Sequence, residues 1–158
     1  MQYETTITSP IGELTLIFQQ EFLIGIRFSN DGRTTKQDQN PSKQVVVDQL
    51  HAYFNNPYFR FNIPLKLLGT DHQQKVWHAL QEIPVGTTIT YGELAKSIKS
   101  SARAVGQACR KNPIPIIFPC HRVVGVQGLT GYSGRRTGKM LEIKEKLLKH
   151  ESMFFSQK

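Results

Sequence analysis

The hydrophobic period of this chain changes once, near residue 69, and that change limits it to a two-part fold. Before it, "YETTITS", "ELTLIF" and "FLIGIRFS" are short β-branched and aromatic runs separated by "PIG" and "QQE", the pattern of strands joined by tight turns. They predict a three-strand antiparallel meander. "SNDGRTTKQDQNPSK" reads as a polar loop with turn chemistry at Asp31-Gly32. "QVVVDQLHAYF" carries Val46, Leu50 and Tyr53 at helical spacing, so a helix over one face of the sheet is expected. "NNPYFRFNIPLKLLG" is broken by prolines and reads as an extended connection.

After the change the pattern is mostly helical. Thr70 or Asp71 can cap "HQQKVWHALQEI", where Val76, Leu80 and Ile83 line one face and Trp77 is read as core. "PVGTTIT" is a turn leading into "YGELAKSI"; a short "KSS" then precedes "ARAVGQACRK". Two short helices joined by a tight polar turn make a helix-turn-helix pattern. "NPIPIIFPC" reads as extended and buried, and "TGKMLEIKEKLLKHE" as a closing helix with Met140, Ile143 and Leu147 on one side. The expectation is an α+β chain: a small antiparallel β-sheet domain with a helix over residues 1–68, and a mostly helical domain over 69–158.

A chain of 158 residues is long enough to bury a real core. No apolar run approaches the roughly 18 residues that span a bilayer. "MQYETTITSPIG" lacks the basic and apolar regions of a signal peptide, so the chain is expected to stay in the cytoplasm. Two cysteines, Cys109 and Cys120, make no disulfide framework and suit a reducing compartment. Charge is divided unevenly. Residues 1–70 hold six Lys/Arg and six Asp/Glu, whereas residues 71–158 hold fourteen and six and so carry the whole net charge of +8. Positive charge confined to one half suggests a surface for a polyanion, nucleic acid being the usual one. The plainer alternative is a basic solvated surface.

The chemistry-bearing stretch is "IPIIFPCHRVVG". A thiol is reactive as its thiolate, and at neutral pH that takes a neighbouring base and a group to orient the base. His121 follows Cys120 and can reach it through a water molecule. Glu151, at the end of the last helix, is an acid able to hold the imidazole. A Glu–His–water–Cys relay is open to this sequence. So is the bland reading, a small buried cysteine. Metal binding is poorly served by two cysteines eleven apart with no CxxC pair.

"NPIPIIFPCHRVVG", preceded by "SARAVGQACRK" and followed by "GYSG", resembles the methylated-DNA–protein-cysteine methyltransferases, the 6-O-alkylguanine-DNA alkyltransferases. The likeness runs from "QQKVWHALQEIPVGTTITYGELA" to "KEKLLKHE", and the first 68 residues match in kind only. It implies a ribonuclease H-like N-terminal domain, duplex DNA containing 6-O-alkylguanine as partner, and no cofactor or metal. A monomer is expected, with cooperative assembly along DNA left open. Residue by residue, Cys120 matches the nucleophile that takes the alkyl group from the guanine 6-oxygen and is not regenerated. His121 matches the water-linked base, Glu151 its polariser, and Asn112 the brace between recognition helix and active site. Arg122 resembles a structural, phosphate-side or carboxylate-pairing arginine.

The resemblance further implies a helix laid in the minor groove and a nucleotide rotated out of the stack. Ala102, Ala104 and Gly106 (with Ala108) match its small contact residues, and Arg103 the finger that fills the gap. Tyr91 matches the tyrosine that helps rotate the nucleotide and donates to the guanine ring. Val123 matches the carbonyl that reads the exocyclic amine, and Tyr132 and Ser133 the loop walling the alkyl pocket. Asp71-His72 stands where the family often has Pro-Phe. The stretch after "GYSG" is longer and more basic than usual, making Arg135, Arg136 and Lys139 candidate phosphate contacts. Three rival readings were set against repair. A non-catalytic alkylguanine-binding relative would replace the cysteine. A helix-turn-helix transcription factor leaves Pro-Cys-His-Arg-Val unexplained, and a Cys-His hydrolase predicts turnover.

Overall fold

The structure, a computed structural model, describes residues 2–29, 41–126 and 139–155. Contacts divide it into two units, Met1–Leu68 and Gly69–Lys158. In the first, β1 (Gln2–Ser9), β2 (Gly12–Gln19) and β3 (Phe22–Ser29) form an antiparallel sheet in sequence order. The meander is as expected. Leu14, Leu16 and Phe18 alternate along β2 and are wholly buried, the period-two pattern of a half-covered sheet. Ile17 pairs with Gly25 but Phe18 pairs with Leu23, so Ile24 is an extra residue that bends β3.

Helix α1 (Pro41–Asn55) packs on β1 and buries Val46, Leu50 and Tyr53. It starts earlier than the apolar spacing indicates because Pro41 is well suited to a first helical position. The proline-broken connection runs beside β3. Leu23 N–H donates to Pro64 O at 3.0 Å and Lys66 N–H to Leu23 O at 3.1 Å, which covers part of that sheet edge.

The second unit begins with α2 (Asp71–Leu80). Thr70 is its cap: the Thr70 hydroxyl accepts from Gln73 N–H while the Gln73 side chain accepts from Thr70 N–H. Val76, Trp77 and Leu80 are its buried face; Ile83 is buried in the turn beyond the helix end. Trp77 Nε1–H donates to Ala108 O at 2.8 Å, so one side chain fastens α2 to the helix-turn-helix. That motif consists of α3 (Tyr91–Ser97), capped by Thr90 with Glu93, and α4 (Ala102–Arg110), capped by Ser101. Lys99 turns the chain between them in the left-handed region, φ 58°.

Two features depart from the expected course. "NPIPIIFPC" is buried but folded back on itself rather than extended, with Phe118 N–H donating to Ile114 O at 3.0 Å. Pro113, Pro115 and Pro119 remove the donors a strand would need, and Ile116 takes φ 75°, a costly conformation for a β-branched residue. The second feature is a two-residue parallel pair, β4 (Ile89–Thr90) with β5 (Val123–Val124), too short for any sequence period to announce. Between them in sequence lies a 3-10 turn, Cys120–Arg122. The chain closes with α5 (Lys139–Phe155), on which Ile143 and Leu147 are buried and Met140 half-buried. No helix among the described residues is long and apolar enough to cross a membrane.

Gly69 leads into this unit against the Trp77 ring. A Cβ added there would lie 2.5 Å from two ring carbons and 2.9 Å from Gln73 Oε1, which is itself part of the α2 cap. Neither the fully buried indole nor the capping glutamine can move without loss. Gly69→Ala is expected to destabilise the second unit by about 1–3 kcal/mol in urea unfolding; wild-type stability would contradict this packing.

Candidate active site

Cys120, His121 and Arg122 occupy one 3-10 turn, and all three side chains are buried. A buried imidazole and guanidinium are tolerable only with partners. Both find the same one. His121 Nε2 lies 2.9 Å from Glu151 Oε2, while Arg122 donates from Nε to Oε1 at 3.0 Å and from Nη2 to Oε2 at 2.9 Å. Arg122 also donates from Nη1 to Ile83 O at 2.8 Å. Of its three sequence-based readings, the carboxylate-pairing arginine is the one realised. The Glu151 side chain, wholly buried, thus receives a two-pronged guanidinium and an imidazole.

The protonation states follow from this geometry. Burial by itself raises the Glu151 carboxyl, but the hydrogen bonds from His121 and Arg122 and the charge of Arg122 outweigh it and hold the group well below the usual carboxylate range. Burial lowers His121, against the opposing pull of Glu151, so the imidazole is neutral. With His121 neutral, Arg122 is the charge that keeps Glu151 ionised. An ionised carboxylate only accepts, so the imidazole proton sits on Nε2 and Nδ1 is left as the basic nitrogen. Nδ1 is buried and has no hydrogen-bond partner among the described residues. A cysteine thiol is the neighbouring residue in the same turn.

Three elements close on this turn. The β4–β5 pair sets Ile89 beside Val123, so Tyr91, the residue after β4, starts its helix next to the Cys120 turn. Tyr91 Oη is buried without a partner among the described residues. Burial first, then Cys109 and Cys120, raise the phenol, so Tyr91 keeps its proton. Cys109, on the inner face of α4, is buried, and its thiol is likewise raised, chiefly by burial and then by Cys120. Neither cysteine is in a disulfide.

The third element is α5, which supplies Lys144, a residue the sequence reading did not single out. Its side chain is wholly buried and Nζ donates to Val123 O at 2.6 Å. Lys144 precedes Glu151 by seven residues, two helical turns, so both point to one face. Its signal was present: a lysine between Ile143 and Leu147, inside the apolar stripe of the closing helix.

Asn112 clamps the folded turn that delivers Cys120. Nδ2 donates to Phe118 O at 2.7 Å, Oδ1 accepts from Ile114 N–H at 3.0 Å, and its own N–H donates to Cys109 O at 3.3 Å. On α4 the faces are sharply divided. Val105, Ala108 and Cys109 are buried, whereas Ala102, Arg103, Gln107 and Arg110 are exposed, with Ala104 and Gly106 between. A Cβ added at Gly106 would meet nothing within 4 Å. Tyr132, Ser133, Arg135 and Arg136 lie outside the described residues; Lys139 opens α5.

The buried triad has a pH signature. Glu151, depressed in the fold, contributes stability above its unfolded value of about 4.3 that is lost as pH falls. His121, also depressed, stays neutral in the fold while the unfolded chain takes a proton below about 6.5, which costs stability in the same direction. Urea unfolding between pH 8 and pH 3 is therefore expected to show stability falling from about pH 6.5 downward. Glu151→Gln leaves Arg122 buried without its counter-charge and should cost about 3 kcal/mol at neutral pH. That cost should shrink towards acid, as the stability Glu151 contributes falls away below about pH 4.3; a cost independent of pH would refute this account.

Comparisons with known proteins agree along the whole length. The family model described as "6-O-methylguanine DNA methyltransferase, DNA binding domain" matches residues 71–153, and its "ribonuclease-like domain" matches residues 2–67. The methylated-DNA–protein-cysteine methyltransferase of Mycobacterium tuberculosis H37Rv is 44% identical over 154 residues, covering 92% of this chain and 93% of the relative. The crystal structure of the M. tuberculosis O6-methylguanine methyltransferase superposes with a TM-score of 0.82 at 40% identity, covering 97% of this chain and 94% of that one. A second M. tuberculosis structure, OGT in complex with DNA, gives 0.78 at 41% identity, covering 95% and 92%. With matches over both units and this identity, the chain belongs to the 6-O-methylguanine DNA methyltransferase family.

Proposed function

We propose that this protein repairs DNA by direct reversal, moving the alkyl group of 6-O-alkylguanine in duplex DNA onto its own Cys120 once per molecule. One observation carries the residue assignment. A buried Glu151 holds His121 so that its unprotonated nitrogen is the one left over, one residue from the thiol. In the proposed step Nδ1 takes the Cys120 proton through a bridging water. The Sγ electron pair then forms a bond to the alkyl carbon as the carbon–O6 bond breaks. The guanine keeps the electron pair of the broken carbon–O6 bond and takes a proton, so charge and atoms balance. Nothing regenerates the thioether, and one equivalent is the limit.

Tyr91 suits the proton-donor role because burial keeps its phenol protonated and its hydroxyl is uncommitted among the described residues. Val123 O, Tyr132 and Ser133 are proposed to read and wall the base as the family resemblance implies. The exposed face of α4 is proposed to enter the minor groove. Ala102, Ala104 and Gly106 give the close approach there, and Arg103 fills the space of the rotated nucleotide. The N-terminal unit, residues 1–68, is assigned a structural role. A monomer in the cytoplasm fits the two thiols, with binding that is sequence-independent and weakened by salt.

Intact mass after incubation with a duplex holding one 6-O-methylguanine tests the reaction. The expected gain is one methylene, mapped to Cys120 and saturating at one equivalent. Cys120→Ser should bind the lesion and gain nothing; transfer by that variant would end the assignment. The α4 face has its own test. The Cβ of Gly106→Leu meets open space in the protein and the change improves helix propensity, so unfolding stability should hold or rise by up to about 1 kcal/mol. Its affinity for duplex DNA should fall at least tenfold, and unchanged affinity would remove this face from the interface.

A further inference from the structure

Outside the Glu–His–Arg cluster, the described residues contain one more wholly buried charged side chain, Lys144. Burying an ammonium is costly, and a lysine on a helix usually avoids it by reaching water. Lys144 instead points inward and donates to Val123 O at 2.6 Å. Val123 N–H in turn donates to Cys120 O, so the lysine is one peptide removed from the nucleophile's backbone. Its Nζ stands 6.0 Å from the centre of the Tyr91 ring, and the thiols of Cys120 and Cys109 are both within its electrostatic reach. Packing alone would be met by leucine at this position, as at Leu147 one turn on.

We infer that Lys144 is a positioning residue for alkyl transfer, supplying the positive charge that faces the Cys120 thiolate and fixing the Val123 carbonyl beside it. The inference rests on Cys120 being the nucleophile. Among the described residues, the groups named around that sulfur differ in charge. From α3, Tyr91 is neutral; from α4, Cys109 is neutral, and Arg110 acts on Tyr91. From the turn itself, Arg122 is engaged by Glu151. His121 gains charge only after taking the thiol proton, with Glu151 of α5 behind it. Lys144 is the remaining cation of this set, and it is held from α5 by its hydrogen bond to Val123 O. Burial lowers its ammonium to about 8, with Cys120 and Cys109 opposing, so it stays charged at neutral pH.

The two duties are linked by geometry. Val123 O is also the carbonyl proposed to read the guanine amine. A carbonyl has two lone pairs, so Lys144 can hold one and leave the other to the base. Removing the lysine would then loosen the base contact and leave the thiolate uncompensated in one stroke. A role limited to packing predicts neither.

The test compares wild type, Lys144→Arg and Lys144→Met in a Cys109→Ser background. Thiolate ultraviolet absorbance is followed against pH, with the corresponding Cys120→Ser protein subtracted, and the rate of methyl transfer from duplex is measured alongside. Loss of a cation at this range should raise the thiolate midpoint by about one pH unit or more and slow transfer at neutral pH about tenfold. Lys144→Arg should keep the midpoint near wild type. A folded Lys144→Met with the wild-type midpoint overturns the inference.

If that variant does not fold, the lysine is read in the wild type by its side-chain 13Cε resonance before and after methylation by damaged DNA. Its titration midpoint should fall once the thiolate is gone, and an unchanged midpoint overturns the inference. Failure of wild type to accept any methyl group would instead refute the repair reading, while the absorbance titration still reports on the charge.

Discussion

One carboxylate holds the site together. Glu151 is buried to the last atom, and its two oxygens receive three hydrogen bonds from two residues of the Cys120 turn. Those contacts tie the last helix to the nucleophile's own turn, and Arg122 extends the tie to the carbonyl of Ile83, just beyond α2. Each charged member would be expensive alone. Together they set the His121 tautomer, leaving Nδ1 as the base, and they bind three elements distant in sequence. Stability and chemistry share the same atoms, so the protonation of one cluster governs both.

The opposite wall of the site is built on smaller devices. The β4–β5 pair contributes two ladder positions, yet it decides where Tyr91 begins α3 relative to Val123. The Asn112 amide bridges both ends of a turn that must accommodate Ile116 in a left-handed conformation. Strain of this kind survives only where surrounding contacts over-determine it, and the buried Ile114, Ile117 and Phe118 provide them. Helix α5 then presses Lys144, Leu147 and Glu151 onto the turn in a single stripe. A polar residue stands at each end and an apolar one in the middle.

Family membership and local physics support each other at α4. The helix is divided into a buried face that meets Trp77 through Ala108 O and an exposed face of small and basic residues. Arg103 and Arg110 on the exposed face belong to the half of the chain, residues 71–158, that carries the whole net charge of +8. Small residues together with exposed arginines suit the close approach to a groove of DNA that is proposed for this face. The matched DNA-binding description over residues 71–153 fits the same reading.

Much of this was legible in the sequence. Alternation in β2 and helical spacing in α1, α2 and α5 announced the elements, because side-chain period follows backbone geometry directly. Thr70 was one of the two caps the sequence offered for α2, and the structure uses it. Pro-Cys-His-Arg-Val with its flanks pointed to thiol chemistry and to the family, since a nucleophile and its base are residue types that cannot be exchanged. What period and motif do not contain is long-range pairing. The folded course of residues 112–119 was misread as extended because its bends are imposed by Asn112 and three prolines acting together. The β4–β5 pair was missed because two residues carry no period. Lys144 was passed over because a lysine on a helix is ordinarily a solvated one. The sequence by itself determined the longer strands and helices, the change of pattern near residue 69 and the candidate reacting groups, all local properties. Only the tertiary structure decided that Glu151 reaches both His121 and Arg122, and that Lys144 faces inward. Whether a charge is paired or exposed depends on which distant residue arrives beside it.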